Sequence, residues 1–494
     1  MSLFLALDQS TSATKALLFD GNGRALDRES REHKQYYPQP GWVGHDAGEI
    51  WQNTLAVLKS LLVRQTSRAG EIASLSITNQ RETIVVFDRT TGEPLRPAIV
   101  WQCRRGDPFC AEQVAAGREK FVHEKTGLKL DAYFSASKLQ WLVRNEPGVR
   151  AKLAQGSALI GTIDAYLVYR LTAGRVFATD STNASRTLLY DITRLAWDRE
   201  LCALWEVPWR ALPEVRESSA QFGDTTLGGL LGRPIPIRGV MGDSQASLFA
   251  QRCFAPGSAK ITFGTGSSLL LNIGAQPRLS QKGVLTALAW VHKGVPTYAF
   301  EGIIISSAST LVWLRDQLGV ASDVPALEKL AQSVSDNGGV YLVPAFTGLG
   351  LPHWRSTARA AITGLSSQSD RRHVARAAFE SIAYQIRDAL DAMRAEAGVP
   401  LAALHGDGGP TASRFLMQLT ADLAGTELRV ATMPDCSPLG AVFAGQLGLG
   451  LRRSLTKPGG APRSDMVYRP TLPPERTATL YAGWQAAVRQ VLAP

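Results

Sequence analysis

Near the start of the chain, residues 3–19 read LFLALDQSTSATKALLF. Two apolar runs, 3–7 and 16–19, flank the small and hydroxyl-rich segment 8–14, and this pattern is typical of a β-hairpin. The segment DGNG at 20–23 supplies turn residues that tolerate positive φ and end the second strand. We therefore predict that the chain opens with a hairpin whose tip is rich in hydroxyl groups.

A similar arrangement returns roughly half a chain later. Residues 260–263 lead into GTGSS at 264–268, and the apolar run 269–271 follows. Small polar turns are common, but two hairpins with such tips suggest a duplicated architecture. Strand-like runs such as 74–78 alternate with helical patterns such as 48–62 in both halves, which predicts mixed α/β domains.

Length and composition set the broad class of the protein. The chain has 494 residues, more than one hydrophobic core normally fills, so two large domains are expected, with a boundary near residue 252 before Pro256-Gly257. Hydrophobic residues make up 45% and charged residues 19%, as in ordinary globular proteins. The five cysteines show no CxxC spacing and no run approaches ~18 uninterrupted apolar residues, so we expect a cytoplasmic protein without a membrane span.

The net charge of +10 raises the question of a nucleic-acid partner. The basic residues are dispersed, and no aromatic-interleaved basic motif is present, so we expect no such partner. The seven histidines are scattered, with neither HExxH nor zinc-like Cys/His spacing, which argues against a metalloenzyme. GxSxG is absent, as is GxGxxG after a strand, which argues against hydrolases and Rossmann dehydrogenases.

The tip of the first hairpin has the residue types that bind phosphate. Hydroxyls and consecutive backbone N–H groups in a tight turn make a concave anion site, and Lys15 lies just beyond it. Asp8, at the end of the first strand, is placed to hold Mg²⁺ through water. The alternative is a solvated turn in which Asp8 only caps backbone groups. The chain lacks GxxxxGK[ST], so the phosphate chemistry is not that of a P-loop.

Two glycine-rich segments of the second half are further phosphate candidates. Thr265 lies between two glycines, which combine close backbone approach with a hydroxyl. The segment GDGG at 406–409 precedes the helical stretch 413–424, and a glycine-rich turn at a helix N-terminus can receive a nucleotide. Ordinary turns and helix starts show the same patterns, so the residues alone leave both alternatives open.

Three charged residues are candidates for handling a hydroxyl group. Asp243 follows the strand-like stretch 234–241 and opens a helix, where it either caps that helix or accepts a hydroxyl proton as a general base. Arg81 and Glu82 lie side by side after a strand. An arginine fork beside a carboxylate can grip adjacent hydroxyls, whereas the alternative is a surface salt bridge.

In this order, these segments resemble the FGGY carbohydrate kinases, and among them the glycerol kinases. The resemblance runs nearly end to end, and matches this long and this ordered are specific for the family. The matching stretches are ALDQ at 6–9, YPQPGWV at 37–43, ITNQRET at 77–83, IVWQCRR at 99–105, YFSASKLQWL at 133–142, TNASRT at 182–187, PAFTGLG at 344–350, and 362–380.

The resemblance implies an α/β fold of two ribonuclease-H-like domains, the actin/hexokinase/Hsp70-type ATPase architecture, with ATP and substrate in the interdomain cleft. Residues 1–252 are expected to carry the substrate site and the first phosphate loop, and residues 253–494 the second phosphate loop and the adenosine site. The implied activity is the phosphorylation of a hydroxyl of a small polyol, glycerol in the glycerol kinases, by ATP with Mg²⁺. A homodimer or homotetramer is implied as well.

The resemblance also implies roles for individual residues. Asp243 is expected to be the catalytic base and, with Asp8, to hold Mg²⁺. The residues expected to bind the polyol are Arg81, Glu82, Trp101, Tyr133, Asp243 and Ser244. The residues expected to bind the nucleotide are Thr11, Ser12, Ala13, Lys15, Thr265, Gly266, Gly409 and Ser413.

Two departures from the glycerol-kinase pattern concern the expected substrate pocket. Ser244 stands where those enzymes carry a glutamine that touches glycerol, and Ser268 stands where an aromatic residue packs against it. Both changes remove bulk, so a four- or five-carbon polyol or ketose, such as erythritol, xylulose or ribulose, is the alternative substrate. A non-catalytic ATP-binding module of the same fold is a more remote alternative, because Asp8, Thr11 and Asp243 are all present.

Overall fold

The computed structural model describes residues 2–355, 357–433, 435–452, 454–455 and 465–493. Its strands are β1 (Leu3–Gln9), β2 (Ala13–Phe19), β3 (Ala25–Glu32), β4 (Gln35–Tyr36), β5 (Gly44–His45), β6 (Ile72–Asn79), β7 (Ile84–Asp88), β8 (Ala98–Ile99), β9 (Ala158–Thr162), β10 (Ala178–Asp180), β11 (Tyr190–Asp191), β12 (Ala196–Trp197), β13 (Glu214–Arg216), β14 (Gln221–Thr225), β15 (Ile235–Gly242), β16 (Ser258–Phe263), β17 (Ser267–Gly274), β18 (Leu285–His292), β19 (Val295–Ile304), β20 (Tyr341–Val343), β21 (Ala361–Thr363), β22 (Ala403–Asp407), β23 (Leu428–Ala431) and β24 (Asp465–Tyr468).

The helices are interspersed with these strands. They are α1 (Ala47–Arg64), α2 (Asp107–Ala115), α3 (Glu119–Thr126), α4 (Ser135–Asn145), α5 (Pro147–Ala154), α6 (Ile163–Leu171), α7 (Ser181–Ala184), α8 (Arg199–Leu204), α9 (Asp243–Ala250), α10 (Ala308–Asp316), α11 (Val324–Gln332), α12 (Arg371–Ala397), α13 (Arg414–Ala424), α14 (Cys436–Gly448) and α15 (Pro474–Leu492), with short 3-10 helices at Thr66–Glu71, Trp209–Ala211 and Gly409–Ala412. Within the described ranges, none of the helices is both long enough and apolar enough to cross a membrane.

The first large sheet has six strands in the order β14-β15-β6-β1-β2-β3. Strands β1, β2 and β3 are antiparallel neighbours, β6 runs parallel to β1, and β15 runs parallel to β6. Helix α1 packs on β2 and β3, while α14 packs on β1, β6 and β15. Every residue of β1 is buried, as expected of a central strand whose apolar run does not alternate.

The second large sheet has seven strands in the order β18-β19-β17-β16-β22-β23-β24. Strands β16, β17 and β19 are antiparallel neighbours, β22 runs parallel to β16, and β23 runs parallel to β22. Both sheets therefore share one pattern, a three-stranded antiparallel unit followed by two parallel strands. The duplicated architecture that the two hairpins suggested is confirmed.

Helices α9 and α14 connect the two sheets. Helix α9 follows β15 of the first sheet but packs against β16 and β17 of the second, while α14 covers the first sheet. Their backbones touch, since a Cβ atom on Gly440 would lie 1.8 Å from the carbonyl oxygen of Ala246. The carboxyl ends of β1, β6 and β15 lie at one edge of the first sheet, and in open α/β sheets ligands bind beyond such an edge.

A smaller unit extends the first half of the chain. Its sheet has five strands in the order β4-β5-β8-β7-β9, and α4 and α5 pack onto its last two strands. Trp101 follows β8, and Tyr133 lies in the connection between α3 and α4. This unit therefore supplies two of the side chains that the sequence predicts for the polyol site.

Candidate active site

The first hairpin tip consists of residues 10–12, because the strands extend further than predicted. Asp8 and Gln9 remain in β1, paired with Lys15 and Thr14 of β2. The Thr14 hydroxyl donates to Gln9 Oε1 at 2.5 Å, so both polar side chains are satisfied inside the sheet. A hydrogen bond also anchors the tip to the residue after β6, since Gln80 Nε2 donates to the carbonyl oxygen of Ser10 at 3.1 Å.

Lys15 makes ion pairs with carboxylates from both ends of the chain. Its Nζ lies 3.1 Å from Asp8 Oδ2 and 3.8 Å from Asp435 Oδ1. The charge of Asp8 raises the pKa of Lys15, whereas burial raises the pKa of Asp8 against the opposing charge of Lys15. Lys15 therefore lies between two carboxylates. The Gln9–Thr14 strand pair separates it from the tip that is predicted to contact phosphate.

Asp243 is the first residue of α9, directly after the carboxyl end of β15. Gly242 occupies the N-cap position of α9. The Asp243 carboxylate accepts a hydrogen bond from the adjacent N–H of Ser244 at 2.7 Å, so Asp243 is not the N-cap of this helix. Its side chain remains 41% exposed. Burial raises its pKa, and the charges of Arg81 and Lys260 oppose that rise.

Arg81 and Glu82 belong to a buried cluster of four charges, and the surface-salt-bridge alternative is wrong. Arg81 Nη2 lies 2.7 Å from Glu301 Oε1, and Arg186 Nε lies 2.5 Å from Glu82 Oε1. Arg186 also pairs with Glu301, and none of the four side chains is more than 4% exposed. Two guanidinium groups thus balance two carboxylates. Arg81 Nε lies 3.3 Å from Asp243 Oδ1, so Asp243 joins this cluster as a fifth charged residue.

The buried cluster constrains both the backbone and the charges. Glu82 adopts φ of 63°, a left-handed conformation that a non-glycine residue rarely takes and that often marks a functional site. Burial alone would raise the pKa of Glu301, but the charges of Arg186 and Arg81 outweigh it and hold that pKa below its usual value. Glu301 is therefore an anion that holds both arginines.

Trp101 and Tyr133 form an aromatic wall beside this cluster. Their ring centroids lie 5.2 Å apart with the planes inclined at 57°. The Trp101 indole N–H donates to Thr11 Oγ1 at 2.9 Å, so the wall also touches the first hairpin tip. The backbone on either side of Tyr133 is fixed by Lys138, whose buried ammonium donates to the carbonyl oxygens of Tyr133 at 2.7 Å and Phe134 at 2.9 Å.

Ser244 and Ser268 meet across the two sheets. The Ser244 hydroxyl, on α9, donates to Ser268 Oγ, on β17, at 3.0 Å. Ser244 is 7% exposed, and its neighbour Asp243 is open to solvent. The two small hydroxyls thus form a hydrogen bond with each other, and both side chains next to Asp243 are short.

The second hairpin tip is short and anchored to the start of α10. The backbone N–H groups of Ser307 and Ser309 donate to the carbonyl oxygen of Thr265 at 2.9 and 3.2 Å, which leaves the Thr265 side chain exposed. A Cβ atom on Gly266 would lie 2.5 Å from the carbonyl oxygen of Ile304, so only glycine fits. This tip has the close backbone packing that the sequence predicts for a phosphate loop.

The third glycine-rich segment lies beside the second tip, because β22 runs parallel to β16. Gly408 has φ of 100°, and a Cβ atom there would lie 2.0 Å from the carbonyl oxygen of Phe263. Gly409 faces open space, since a Cβ atom added there would meet no other atom within 4 Å. Ser413 is the N-cap of α13, and its Oγ accepts from the N–H of Leu416 at 3.0 Å, which leaves its hydroxyl proton for another acceptor.

Three buried charged residues of the site were not identified from the sequence. Arg186 lies within a family-like stretch, but its spacing gives no sign of a partner. Glu301 is far along the chain from Arg81, in a strand whose pattern is otherwise apolar. Lys260 is fully buried in β16, where it donates to Thr262 Oγ1 at 2.9 Å and burial lowers its pKa. For Glu301 and Lys260, the one signal in the sequence that could have indicated a site residue was a charged residue within an apolar strand.

The residues predicted for Mg²⁺ have suitable chemistry for it. Asp8 and Asp243 lie at the same edge of the first sheet, and the charge of Asp8 contributes to the raised pKa of Asp243. Mg²⁺ is usually held by one or two carboxylates together with waters and phosphate oxygens, not by an all-protein cage. In the described part of the chain no three His, Cys, Asp or Glu side chains form a group that could hold a metal ion by itself.

Family models match most of the chain. The model for the FGGY family of carbohydrate kinases, N-terminal domain, matches residues 3–250. The model for the C-terminal domain of the same family matches residues 259–448.

Individual proteins match over nearly their whole length. The chain is 45% identical over 488 residues to the glycerol kinase of Desulfitobacterium hafniense, covering 99% of both chains. It is also 45% identical over 488 residues to glycerol kinase 1 of Thermotoga maritima, again covering 99% of both. Among solved structures, Plasmodium falciparum glycerol kinase with ADP matches with a TM-score of 0.90 at 33% identity, covering 100% of this chain and 99% of that one. The xylulose kinase of Lactobacillus acidophilus shares the fold, with a TM-score of 0.87 at 21% identity and 99% of both chains covered.

Proposed function

This chain belongs to the FGGY family of carbohydrate kinases, and from that premise we propose that it transfers a phosphoryl group from ATP to a hydroxyl of glycerol, with Asp243 as the base. The family resemblance and the two-domain actin/hexokinase-like fold are confirmed. The chain is therefore an ATP-dependent sugar or polyol kinase, and the non-catalytic alternative has no support. The boundary at residue 252 stays a prediction.

The observation that carries the base assignment is the charge balance around Asp243. The four charges of Arg81, Glu82, Arg186 and Glu301 neutralise one another inside the protein, while Asp243 stays 41% exposed. Asp243 thus combines a raised pKa with solvent access, and a carboxylate positioned in this way can accept a proton from a bound hydroxyl. Arg81 holds it at 3.3 Å and so fixes its direction.

The reaction steps follow from this geometry. A polyol hydroxyl placed against Asp243 gives its proton to the carboxylate as its oxygen bonds to the γ-phosphorus of ATP, and the bond from that phosphorus to the β–γ bridging oxygen breaks to release ADP. Glu82 and Arg81 orient the neighbouring hydroxyls, and Trp101 with Tyr133 covers the carbon chain. Mg²⁺ bound near Asp8 and Asp243 would neutralise phosphate charge when present.

The nucleotide sites remain proposals at the level of single residues. The first tip supports the proposal by the hydroxyls of Thr11 and Ser12. Ala13 and Lys15 follow the tip in β2, where Lys15 adds a positive charge near it. The second tip, with Thr265 and Gly266, supports it by an exposed hydroxyl and close backbone packing. Gly409 offers an open surface for adenosine, and Ser413 can donate its hydroxyl proton while its Oγ caps α13.

A longer substrate is the second candidate, and the Ser244–Ser268 hydrogen bond favours it. Two short side chains that satisfy each other leave space beside the base where a fourth or fifth carbon can lie. The relatives named glycerol kinase support the three-carbon substrate. Erythritol, xylulose and ribulose are the longer candidates.

The test is polyol-dependent release of ADP from ATP and Mg²⁺. The initial rate is measured with glycerol, erythritol, xylulose and ribulose, each over a concentration series that yields kcat/KM. The proposal predicts the highest kcat/KM for glycerol. A preference of tenfold or more for a four- or five-carbon compound would establish the second candidate instead, and no stimulation by any of the four compounds would contradict both.

Two further properties belong to the proposal. All five cysteines are buried, and their sequence spacing, without CxxC, supports a reducing compartment such as the cytoplasm. A homodimer or homotetramer is expected from the family resemblance, and light scattering of the purified protein measures it.

A further inference from the structure

Trp101 touches both parts of the site. Its ring faces Tyr133 at 5.2 Å on the polyol side, while its indole N–H donates to Thr11 Oγ1 at 2.9 Å on the phosphate side. Trp101 comes from the five-stranded unit and Thr11 from the first hairpin tip, 90 residues apart in sequence. One side chain therefore spans the distance between the two proposed substrate sites.

A second chain of hydrogen bonds joins the same two places. The backbone N–H of Trp101 donates to Thr83 Oγ1 at 3.1 Å, and the Thr83 hydroxyl donates to Gln80 Oε1 at 2.8 Å. Gln80 Nε2 then donates to the carbonyl oxygen of Ser10 at 3.1 Å. Thr83 and Gln80 are at most 1% exposed, and hydrogen bonds shielded from water are the stronger for it. The wall and the tip are thus held as one unit.

The direction of the indole bond has a chemical consequence. An indole N–H is only a donor, so Thr11 Oγ1 must be the acceptor in this bond. A hydroxyl carries one proton, and the proton of Thr11 is then left to point away from Trp101. An anionic phosphate oxygen is the acceptor that such a hydroxyl suits, since hydrogen bonds to charged groups are the stronger kind.

We propose that Trp101 is a positioning residue, which fixes the Thr11 hydroxyl as a donor to a phosphate of ATP and so couples polyol binding to nucleotide binding. The inference rests on the proposed function. A polyol packed on the ring restricts the indole, which in turn restricts Thr11. Because coupling between sites is reciprocal, polyol must tighten nucleotide binding by the same factor as nucleotide tightens polyol binding.

The test uses Trp101→Phe, which keeps an aromatic wall and removes the N–H. We expect kcat/KM for ATP to fall about tenfold, the effect of one lost hydrogen bond in a charged site. Because the coupling is reciprocal, the ATP-dependent tightening of polyol binding should be lost as well, while polyol binding without nucleotide should change by less than about threefold. Titration with a non-hydrolysable ATP analogue, with and without polyol, should show that the polyol-dependent tightening of the wild type is lost in the variant.

A second variant removes the same bond from the other side. Thr11→Val should lose the tightening as well, and adding Trp101→Phe to it should lower kcat/KM for ATP by less than about twofold more, because the two residues act through one bond. Trp141→Phe, which alters a tryptophan that packs on Trp42 outside the site, is the matched control and should leave ATP kinetics unchanged.

The outcomes separate this inference from the proposed function. A wild-type protein without polyol-dependent ADP release would contradict the proposed function. An active wild type with an unchanged kcat/KM for ATP in Trp101→Phe, or an equal loss in the wild-type and Thr11→Val backgrounds, would overturn the coupling role alone. Thermal melts of each variant establish that the fold is intact, and Thr11→Val tests the role even where Trp101→Phe is unstable.

Discussion

At the scale of single residues, the position of Glu301 explains how Asp243 stays available. Glu301 comes from the second sheet, and its two oxygens hold Arg81 and Arg186 of the first half. With both arginines occupied, Arg81 reaches Asp243 through Nε alone, at 3.3 Å. The carboxylate is therefore oriented by a cation without being enclosed in a bidentate pair, and it keeps lone pairs for a hydroxyl proton.

Glu301→Gln tests this arrangement through stability. Removing one partner of a buried ion cluster leaves an uncompensated charge, which costs about 3 kcal/mol or more. We expect the free energy of unfolding to fall by that amount in urea titrations. Glu124→Gln is the matched control, because Glu124 pairs with Lys120 at 3.7 Å on the surface, where such pairs contribute roughly 0–1 kcal/mol. Equal losses in the two variants would show that the cluster does not stabilise the fold.

At the scale of elements, local sequence patterns predicted the type of each element better than its ends. The helical pattern predicted at 48–62 extends from Ala47 to Arg64, because the Asp46 side chain caps the first turn. The first tip was predicted too long, since Asp8 and Gln9 look like loop residues until their partners Lys15 and Thr14 are seen across the hairpin. The residue pattern along one strand does not show which residues pair with it on the neighbouring strand.

The contact between α9 and α14 is an element-scale feature that the sequence did not predict. Gly440→Ala should lower the free energy of unfolding by about 1–3 kcal/mol, because the new methyl group would overlap the Ala246 carbonyl, and it should also lower kcat by displacing Asp243 at the start of α9. Urea titration and ADP-release assays measure both effects.

Gly148→Ala is the control for this prediction. Gly148 lies in α5, and a Cβ atom added there would meet no other atom within 4 Å. Its stability should change by less than about 0.5 kcal/mol, as for most surface substitutions. Similar stabilities for Gly440→Ala and Gly148→Ala would mean that the two helices can separate at no cost.

At the scale of the whole molecule, the two hairpins allowed the duplication to be predicted, and the family-like stretches allowed the two-domain fold to be predicted. The Arg81–Glu301 and Arg186–Glu301 pairs were not predictable, because they join positions far apart in the chain and depend on how the two sheets meet. The packing of α9 on the second sheet and of α14 on the first was not predictable for the same reason. Contacts between domains are decided by three-dimensional packing, for which a single sequence has no periodic signal.

The central claim is that Asp243 accepts the proton of the attacking hydroxyl. The most direct measurement is polyol-dependent ADP release by Asp243→Asn, alongside a thermal melt that establishes folding. General-base catalysis contributes roughly 10²–10⁴-fold, so we predict a folded protein whose kcat is lower by at least about a hundredfold. A folded Asp243→Asn protein with kcat within a few-fold of the wild type would contradict the claim.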